Sequence, residues 1–108
     1  MPESQPNAQI PANALIAEAA KGSKAAFNRV MNEQAPRLQN IALRMMGNRS
    51  DAEDAVQEAL AAAWFKLASF DLSRPISPWL TRITVNKCRD LLRKRRIRQF
   101  FEFHSDNE

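Results

Sequence analysis

Apolar residues recur every three or four positions along most of this chain, which is the spacing of an amphipathic α-helix. The first such stretch covers 12–21 and places Leu15, Ile16 and Ala19 on one side. Gly22 follows, and glycine often ends a helix because it adopts the left-handed conformation without strain. The pattern therefore predicts a short N-terminal helix.

A second, longer helix is predicted from Ser23 as its N-cap to a stop at Gly47 and Asn48. Pro36 lies inside this pattern and lacks the backbone N–H that a helix uses at that point. We expect Pro36 to kink the helix, or to split it near 34–35, without abolishing it. The apolar positions keep the helical spacing on both sides of the proline: Phe27, Val30, Met31, Leu38, Ile41, Ala42, Met45 and Met46.

The third predicted helix begins with a capping box, in which Ser50 accepts a backbone hydrogen bond and Glu53 reaches back to the cap. The segment is expected to have one packed face and one solvated face. The solvated face is polar and mostly acidic, with Asp51, Asp54, Gln57 and Glu58. The packed face carries a stripe at helical spacing: Ala52, Ala55, Val56, Ala59, Leu60, Ala63, Trp64 and Leu67.

A loop over 68–75 leads to a fourth helix, which is predicted to open with Ser77 as N-cap and Pro78 in the first turn. We expect this helix to end near Arg98 or Phe100. Four helices with short connections predict an all-α fold, a compact bundle of three main helices and the short N-terminal helix. The fourth helix carries its cations outward and these residues inward: Trp79, Leu80, Ile83, Leu91 and Leu92.

The length of 108 residues leaves room for one small domain. Residues 1–11 contain three prolines and little to bury, so they are expected to form a flexible leader. Residues 12–98 contain all four helical patterns and are expected to form the domain. Residues 99–108 are expected to be the start of an interdomain linker or a disordered tail.

The net charge of +4 is unevenly distributed along the chain. Residues 1–75 contain eight basic and eight acidic side chains, whereas residues 76–98 contain eight basic side chains and only Asp90 as an acid. Charge concentrated in one segment indicates a polyanionic partner, nucleic acid first and an anionic membrane second. The alternative is a solvated helix end that the helix dipole favours, but that effect needs only two or three cations.

Catalytic and metal-binding patterns are missing from the sequence. Cys88 is the single cysteine and has no His or Cys neighbours at metal-ligand spacing, and His104 has no catalytic partner nearby. We expect no enzyme activity, no metal and no cofactor. No apolar run approaches the ~20 residues that cross a bilayer, and the N-terminus is no secretory signal. A cytoplasmic protein is the expectation.

Residues from about 15 to 98 closely resemble region 2 of the extracytoplasmic-function (ECF) sigma factors, members of the sigma-70 family. The matching segments are KAAFNRV, GNRSDAEDAVQEALAAAW, FD in the loop, and WLTRITVNKCRDLLRKRR. The resemblance implies a domain that binds core RNA polymerase and that recognises and melts the minus-ten promoter element. The chain has no second helical domain to read the upstream element, so we expect an excised domain or a naturally short protein.

The resemblance implies that the third helix docks on the arginine-rich clamp helices of the polymerase β′ subunit. Asp54, Gln57 and Glu58 lie at i, i+3 and i+4, so they share one helical face. Carboxylates and an amide in a row suit guanidinium groups. Asp51 and Glu53 are expected to divide between capping and steering. Without the resemblance, a merely solvated face would be the preferred interpretation.

In related proteins the loop that corresponds to residues 68–75 forms a pocket for a base flipped out of the non-template strand. The resemblance thereby implies that Phe70, Asp71, Ser73 and Arg74 contact unpaired DNA. For Phe70 a core position is the more favoured alternative, which leaves Asp71 and its neighbours as the better candidates for base specificity.

Asn86 on the fourth helix occupies the family position that contacts a minus-ten base. Its alternative role is that of a solvent-facing helix residue. The basic residues around Asn86 are expected to hold phosphates, either near the melted strand or along the backbone without sequence preference. The candidates are Arg82, Lys87, Arg89, Arg93, Lys94 and Arg95, and Arg96 and Arg98 are expected to join the backbone contacts.

The expected partners are core RNA polymerase, single-stranded non-template promoter DNA and an anti-sigma factor. One alternative is a sigma-like decoy that sequesters an anti-sigma factor without binding DNA, although such a decoy has no need of Asn86 and the cations. A second alternative is a basic helix that binds an anionic membrane. Leu91 and Leu92 weaken this alternative, because they are expected to pack in the core. The promoter sequence, the activating signal and the anti-sigma partner are not encoded in these residues.

Overall fold

A computed structural model describes residues 12–106. Four α-helices follow one another along this range, with a single 3₁₀ turn between the third and the fourth and no strand among the described residues. The prediction of an all-α fold with three long helices and a short N-terminal one is confirmed. The helices are α1 (Ala12–Ala20), α2 (Lys24–Met46), α3 (Arg49–Lys66) and α4 (Ile76–Asp106), and the 3₁₀ turn is Leu67–Ser69.

Both ends of α2 are formed by the residues that the sequence indicated. The Ser23 hydroxyl accepts a hydrogen bond from the Ala26 N–H at 3.1 Å, which satisfies one of the free donors of the first turn. Gly47 ends the helix at φ 84°, a left-handed conformation, and its N–H donates to the Leu43 carbonyl at 2.9 Å. A side chain at position 47 would be strained by that φ.

The predicted capping box at the start of α3 is wrong. The N-cap is Asn48, which is extended at φ −151°, ψ 156°, and its side-chain oxygen accepts from the Asp51 N–H at 2.8 Å. Helix α3 therefore begins directly after the turn at Gly47, and Ser50 lies inside it. Glu53 makes an ion pair with Arg49 at 3.4 Å instead of reaching back to a cap.

Pro36 does not split α2, which runs unbroken from Lys24 to Met46. The residues after the proline are held by contacts that a break would disturb. Leu38 is fully buried, and the Arg37 guanidinium donates to Thr81 Oγ1 at 2.6 Å and to the Ser77 carbonyl at 3.1 Å on α4. These contacts fix α2 against α4 and keep the segment helical across the missing hydrogen bond.

Both ends of α4 differ from the predicted ones. The helix begins at Ile76, so Ser77 lies in its first turn and donates from its hydroxyl to Gln34 Oε1 at 3.1 Å rather than capping the helix. Its C-terminal end lies at Asp106, beyond the predicted stop near Arg98 or Phe100. The expected flexible leader, residues 1–11, lies outside the described residues, as do the last two residues of the expected tail.

Helix α3 packs against both α2 and α4, which also contact each other. Its inward face is almost entirely alanine, with Ala52, Ala55, Ala59 and Ala63 fully buried or nearly so. Small side chains let neighbouring helices approach closely, so α3 packs closely against both α2 and α4. The larger core residues come from the other elements: Ile16, Phe27, Leu38, Leu67, Ile76 and Leu80.

Candidate functional site

The loop between α3 and α4 bounds an open cavity of about 620 Å³ against the first turns of α4. We call this cavity the loop pocket. Its volume falls within the range of small-molecule sites, ~300–1,000 Å³. Three charged side chains and two aromatic ones reach its walls. These side chains are Phe70, Asp71, Arg74, Trp79 and Arg82.

Asp71 organises the loop from within. One carboxylate oxygen accepts hydrogen bonds from the Ser73 hydroxyl at 2.7 Å and from the Ser73 N–H at 2.9 Å, and the other lies 3.5 Å from Arg74 Nε. The two Ser73 bonds and the Arg74 charge hold the pKa of Asp71 below its ordinary value of 3.8. The structure thus brings together Asp71, Ser73 and Arg74, three of the four loop residues that the sequence singled out.

Phe70 is buried and packs on Trp79, with ring centroids 4.9 Å apart and planes tilted by 50°. The ring of Phe70 therefore belongs to the floor of the loop pocket, in agreement with the core position favoured for it. Trp79 was assigned to the core from its spacing. In the structure it is half-buried and also lines the pocket, so it offers an aromatic edge or face to a ligand.

A second depression, of about 430 Å³, lies beside the middle of α4. We call it the helix groove. Asn86, Lys87, Arg89 and Arg93 all line it, so four predicted DNA-binding residues come together there. Arg93 also forms an ion pair with Asp90 at 3.5 Å, the only acid in this groove.

Four of the predicted DNA-binding residues follow one another along one exposed face of α4. Arg82, Asn86, Arg89 and Arg93 are separated by four, three and four residues, the spacing that keeps side chains on one side of a helix. All four are exposed. This face joins the loop pocket, which Arg82 lines, to the helix groove.

The acidic face of α3 is solvent-exposed as expected. Asp54, Gln57 and Glu58 are all exposed and sit side by side at i, i+3 and i+4. Glu53 is exposed on a neighbouring side of the helix, where it pairs with Arg49. We call Asp54, Gln57 and Glu58 the acidic row.

Two predicted site residues bind each other instead of facing separate partners. The Arg95 guanidinium forms an ion pair with the Asp51 carboxylate, and both side chains are partly shielded from solvent. Asn48 Nδ2 also donates to Asp51 at 2.9 Å. That bond, aided by the Arg95 charge, lowers the pKa of Asp51 below its ordinary value of 3.8.

Arg95 accordingly lies on the acidic side of the bundle, in a groove of about 200 Å³ with Asp54 and Glu58, and not in the helix groove with Asn86. The spacing from Asn86 to Arg95 is nine residues, two and a half turns, which rotates Arg95 to the opposite side of α4. Lys94 is exposed and lines neither the loop pocket nor the helix groove.

Two residues at the end of α3 were not singled out from the sequence. Lys66 lines the helix groove beside Asn86, where it adds a cation from a second helix. Phe65 is 83% exposed, the most exposed large apolar side chain among the described residues. Nothing in the sequence distinguishes Lys66 from any other lysine in the last turn of a helix. Phe65 falls outside the apolar stripe of α3, so its position in the sequence already indicated an exposed side chain.

The described residues also bear on metal binding, on the state of the cysteine thiol and on membrane insertion. Within residues 12–106, no three His, Cys, Asp or Glu side chains cluster as a metal site would require. Cys88 is fully buried, and burial raises the pKa of its thiol. None of the four helices combines the length and the apolarity that crossing a membrane demands.

Comparison with known families gives a match between residues 30–98 and the model described as Sigma-70 region 2. The chain is 41% identical over 93 residues to the RNA polymerase sigma factor CnrH of Cupriavidus metallidurans, and 36% identical over 81 residues to the ECF RNA polymerase sigma factor SigW of Bacillus subtilis. These alignments cover 86% and 75% of this chain but 48% and 43% of the relatives. The chain thus spans about half the length of the curated relatives it matches.

Two solved structures resemble the fold. One is an engineered region 2 of sigmaE in complex with GTAAAA, with a TM-score of 0.80 and 32% identity, covering 83% of this chain and 94% of that one. The other is CnrH in complex with the cytosolic domain of CnrY, with a TM-score of 0.68 and 37% identity, covering 72% of this chain and 51% of that one.

Proposed function

Because this chain belongs to the sigma-70 region 2 family and aligns with ECF sigma factors, we propose that it acts in transcription initiation. It binds core RNA polymerase with the acidic row and captures unpaired bases of the minus-ten element with the loop pocket and α4. The observation that carries the proposal is the loop pocket, an open cavity large enough to admit a base. It is lined by two aromatic side chains and two arginines, one of which, Arg82, lies on the same helix face as exposed Asn86.

Base capture in the loop pocket has to offset the cost of unpairing. Extruding a base from a duplex costs a few kcal/mol. Stacking on an aromatic side chain returns ~1–3 kcal/mol per base. Trp79 supplies the ring, while Arg74 and Arg82 supply charge at the pocket wall. Asp71 acts chiefly as the residue that shapes the loop, because Ser73 and Arg74 already engage its carboxylate.

The exposed face of α4 provides a path for the strand beyond the pocket. From Arg82 to Arg93 the helix rises about 16 Å. A stacked strand with ~3.4 Å between phosphates places about five nucleotides along that length. The sigmaE relative was solved with the six-nucleotide strand GTAAAA, which is of similar length. Asn86 reads a base, and Arg82, Lys87, Arg89 and Arg93 bind phosphates, with Lys66 and Lys94 at the margins.

The acidic row is proposed as the polymerase contact. Asp54, Gln57 and Glu58 are exposed and form no ion pair with any described residue of 12–106, so their polar groups face solvent where an arginine-rich surface can reach them. The β′ clamp helices have that chemistry. Asp51 and Glu53 play supporting parts: Asp51 donates its backbone N–H to the Asn48 cap and pairs with Arg95, while Glu53 pairs with Arg49.

An anti-sigma factor is a further proposed partner, since the CnrH neighbour was solved with the cytosolic domain of CnrY. We place the protein in the cytoplasm, where core polymerase and the promoter are found, and assign it no catalytic reaction. The decoy alternative is not favoured, because the exposed residues on α4 include Asn86 and three arginines that a decoy has no need to keep.

The experiment for the DNA role is fluorescence anisotropy with labelled six-nucleotide strands. The full chain is titrated against GTAAAA, against minus-ten-like variants, against scrambled strands and against hairpins that hold each of these sequences in a duplex. We expect one single strand to bind more tightly than its scrambled form and than its duplex. If about three phosphates are neutralised, the logarithm of affinity should fall with that of salt at a slope of about −2. Equal affinity for all the strands and duplexes would contradict the proposal.

A further inference from the structure

Helix α4 continues past its contacts with the bundle and carries a row of exposed apolar side chains. Ile97 is 50% exposed, Phe100 55%, Phe101 65% and Phe103 64%. We call Ile97, Phe100 and Phe101 the C-terminal stripe, because they lie at i, i+3 and i+4 on one side of the helix. The sequence had assigned most of this segment to a tail.

The C-terminal stripe has no partner within the described residues of the bundle. The three residues border a shallow groove of about 340 Å³ together with Arg96. The rings of Phe100 and Phe101 meet edge to face at 5.6 Å, and Phe100 also stacks on His104 of the same helix, with ring centroids 3.9 Å apart. Single exposed apolar residues are common, but a contiguous group with a polar rim marks an interaction site.

Charge around the stripe is strongly positive. Lys94 and Arg96 lie within one turn of Ile97 and form no ion pair with any described residue of 12–106, whereas Arg98 lines the groove that Asp51, Asp54 and Glu58 share with Arg95. Glu102 is the single acid between positions 91 and 104. A surface that is apolar along its centre and cationic along its edges complements a helix with the opposite edges.

We propose that the C-terminal stripe docks an amphipathic helix of a partner protein, whose apolar seam is flanked by glutamate or aspartate. The i, i+3, i+4 spacing gives the knob pattern that pairs one helix with another. A second copy of this chain fits less well, because its stripe brings the same cations and few acids. The stripe continues the Arg82–Arg93 face of α4, since Ile97 follows Arg93 by four residues, but the proposed polymerase and base contacts do not use it.

The test uses two synthetic peptides of 21 residues with the same leucine seam, one flanked by glutamates and the other by lysines. Binding of each peptide to the full chain is measured by isothermal titration calorimetry. We expect the glutamate peptide to bind and the lysine peptide to bind at least about tenfold more weakly. The double variant F100A/F101A should lose about tenfold or more for the glutamate peptide, as expected when central aromatic anchors are removed.

Phe65→Ala is the matched control, because it removes an even more exposed phenylalanine from a different helix. That variant should bind the glutamate peptide as the parent does, and circular dichroism should show all variants equally helical. Unchanged binding by F100A/F101A, or equal binding of both peptides, would overturn the proposal. So would a Phe100- and Phe101-dependent dimer in sedimentation equilibrium, preferential binding to vesicles with a quarter of phosphatidylserine, or a loss of GTAAAA binding in F100A/F101A.

Discussion

Asp71 accounts for the shape of the loop pocket at the residue scale. Its carboxylate accepts two hydrogen bonds from Ser73 and faces Arg74, so the loop holds its conformation without a ligand. A preorganised loop loses less conformational freedom on binding than a mobile one. In the proposed base-binding role the fixed loop presents Arg74 and Trp79, which are more direct candidates for base contacts than Asp71.

The Asp71 network makes a testable claim about protonation. The depressed pKa of Asp71 means that its bonds stabilise the folded loop above its ordinary pKa of 3.8 and that this contribution is lost as pH falls through the lower, folded value. Ser73→Ala removes the hydroxyl donor, so the pKa of Asp71 should rise toward 3.8. Carboxyl-carbon NMR titration measures it. Asp51 is the internal control, since its own low pKa comes from Asn48 and should not move.

Asn86 is the residue on which base readout is proposed to depend. Asn86→Ala should weaken binding of the preferred single strand by ~1–3 kcal/mol, the discrimination that a well-made base contact provides. It should weaken binding of a scrambled strand much less, since phosphate contacts remain. Asn40→Ala, at another exposed helical asparagine, is the matched control. Equal losses on both strands would assign Asn86 a general supporting role instead.

At the element scale, the helix ends and breaks were predictable where neighbouring residues determine them. They were less predictable where contacts between helices determine them. Ser23 and Gly47 end α2 as the sequence indicated. The predicted start of α3 was misplaced because Asn48 and Ser50 are both good N-cap residues. In the structure Asn48 directly follows the turn at Gly47 and is extended, so Asn48 is the N-cap. The uninterrupted course of α2 through Pro36 depends on Arg37 bonds to α4, which no local pattern encodes.

The identity of the α3 cap can be measured. Asn48→Ala should lower the free energy of unfolding by ~0.5–2 kcal/mol, because an orphan N–H of the first turn loses its acceptor. Ser50→Ala, inside the helix and exposed, should change it by less than ~0.5 kcal/mol. Urea denaturation followed by circular dichroism compares the two. The reverse ranking would restore the capping box at Ser50.

The sequence predicted which residues belong to the candidate site better than it predicted how those residues are arranged. The periodicity and the motif located the acidic row and the Asn86 face, since both need only helical spacing. The sequence could not reveal that Arg95 pairs with Asp51, because these two residues lie on different helices and are 44 residues apart in the chain. The inclusion of Lys66 in the helix groove likewise depends on how α3 and α4 pack.

At the scale of the whole molecule, one small bundle carries its proposed functions on separate faces. The acidic row lies on α3, and the pocket and groove for the strand lie along the loop and α4. Helix α3 packs directly on α4 through a layer of alanines, so the two faces are held in a fixed relation. Such a scaffold can hold a polymerase and an unpaired strand at the same time.

The most direct measurement is a bridging assay, in which labelled GTAAAA, or the tightest strand of the anisotropy panel, is sedimented with core RNA polymerase. We predict that the strand co-sediments only when the chain is added. D54R/E58R should abolish bridging while the strand still binds the variant alone. E18R/E33R makes the same charge change at exposed positions on α1 and α2 and should bridge normally. Strand and polymerase that stay apart in the presence of the chain would contradict the account.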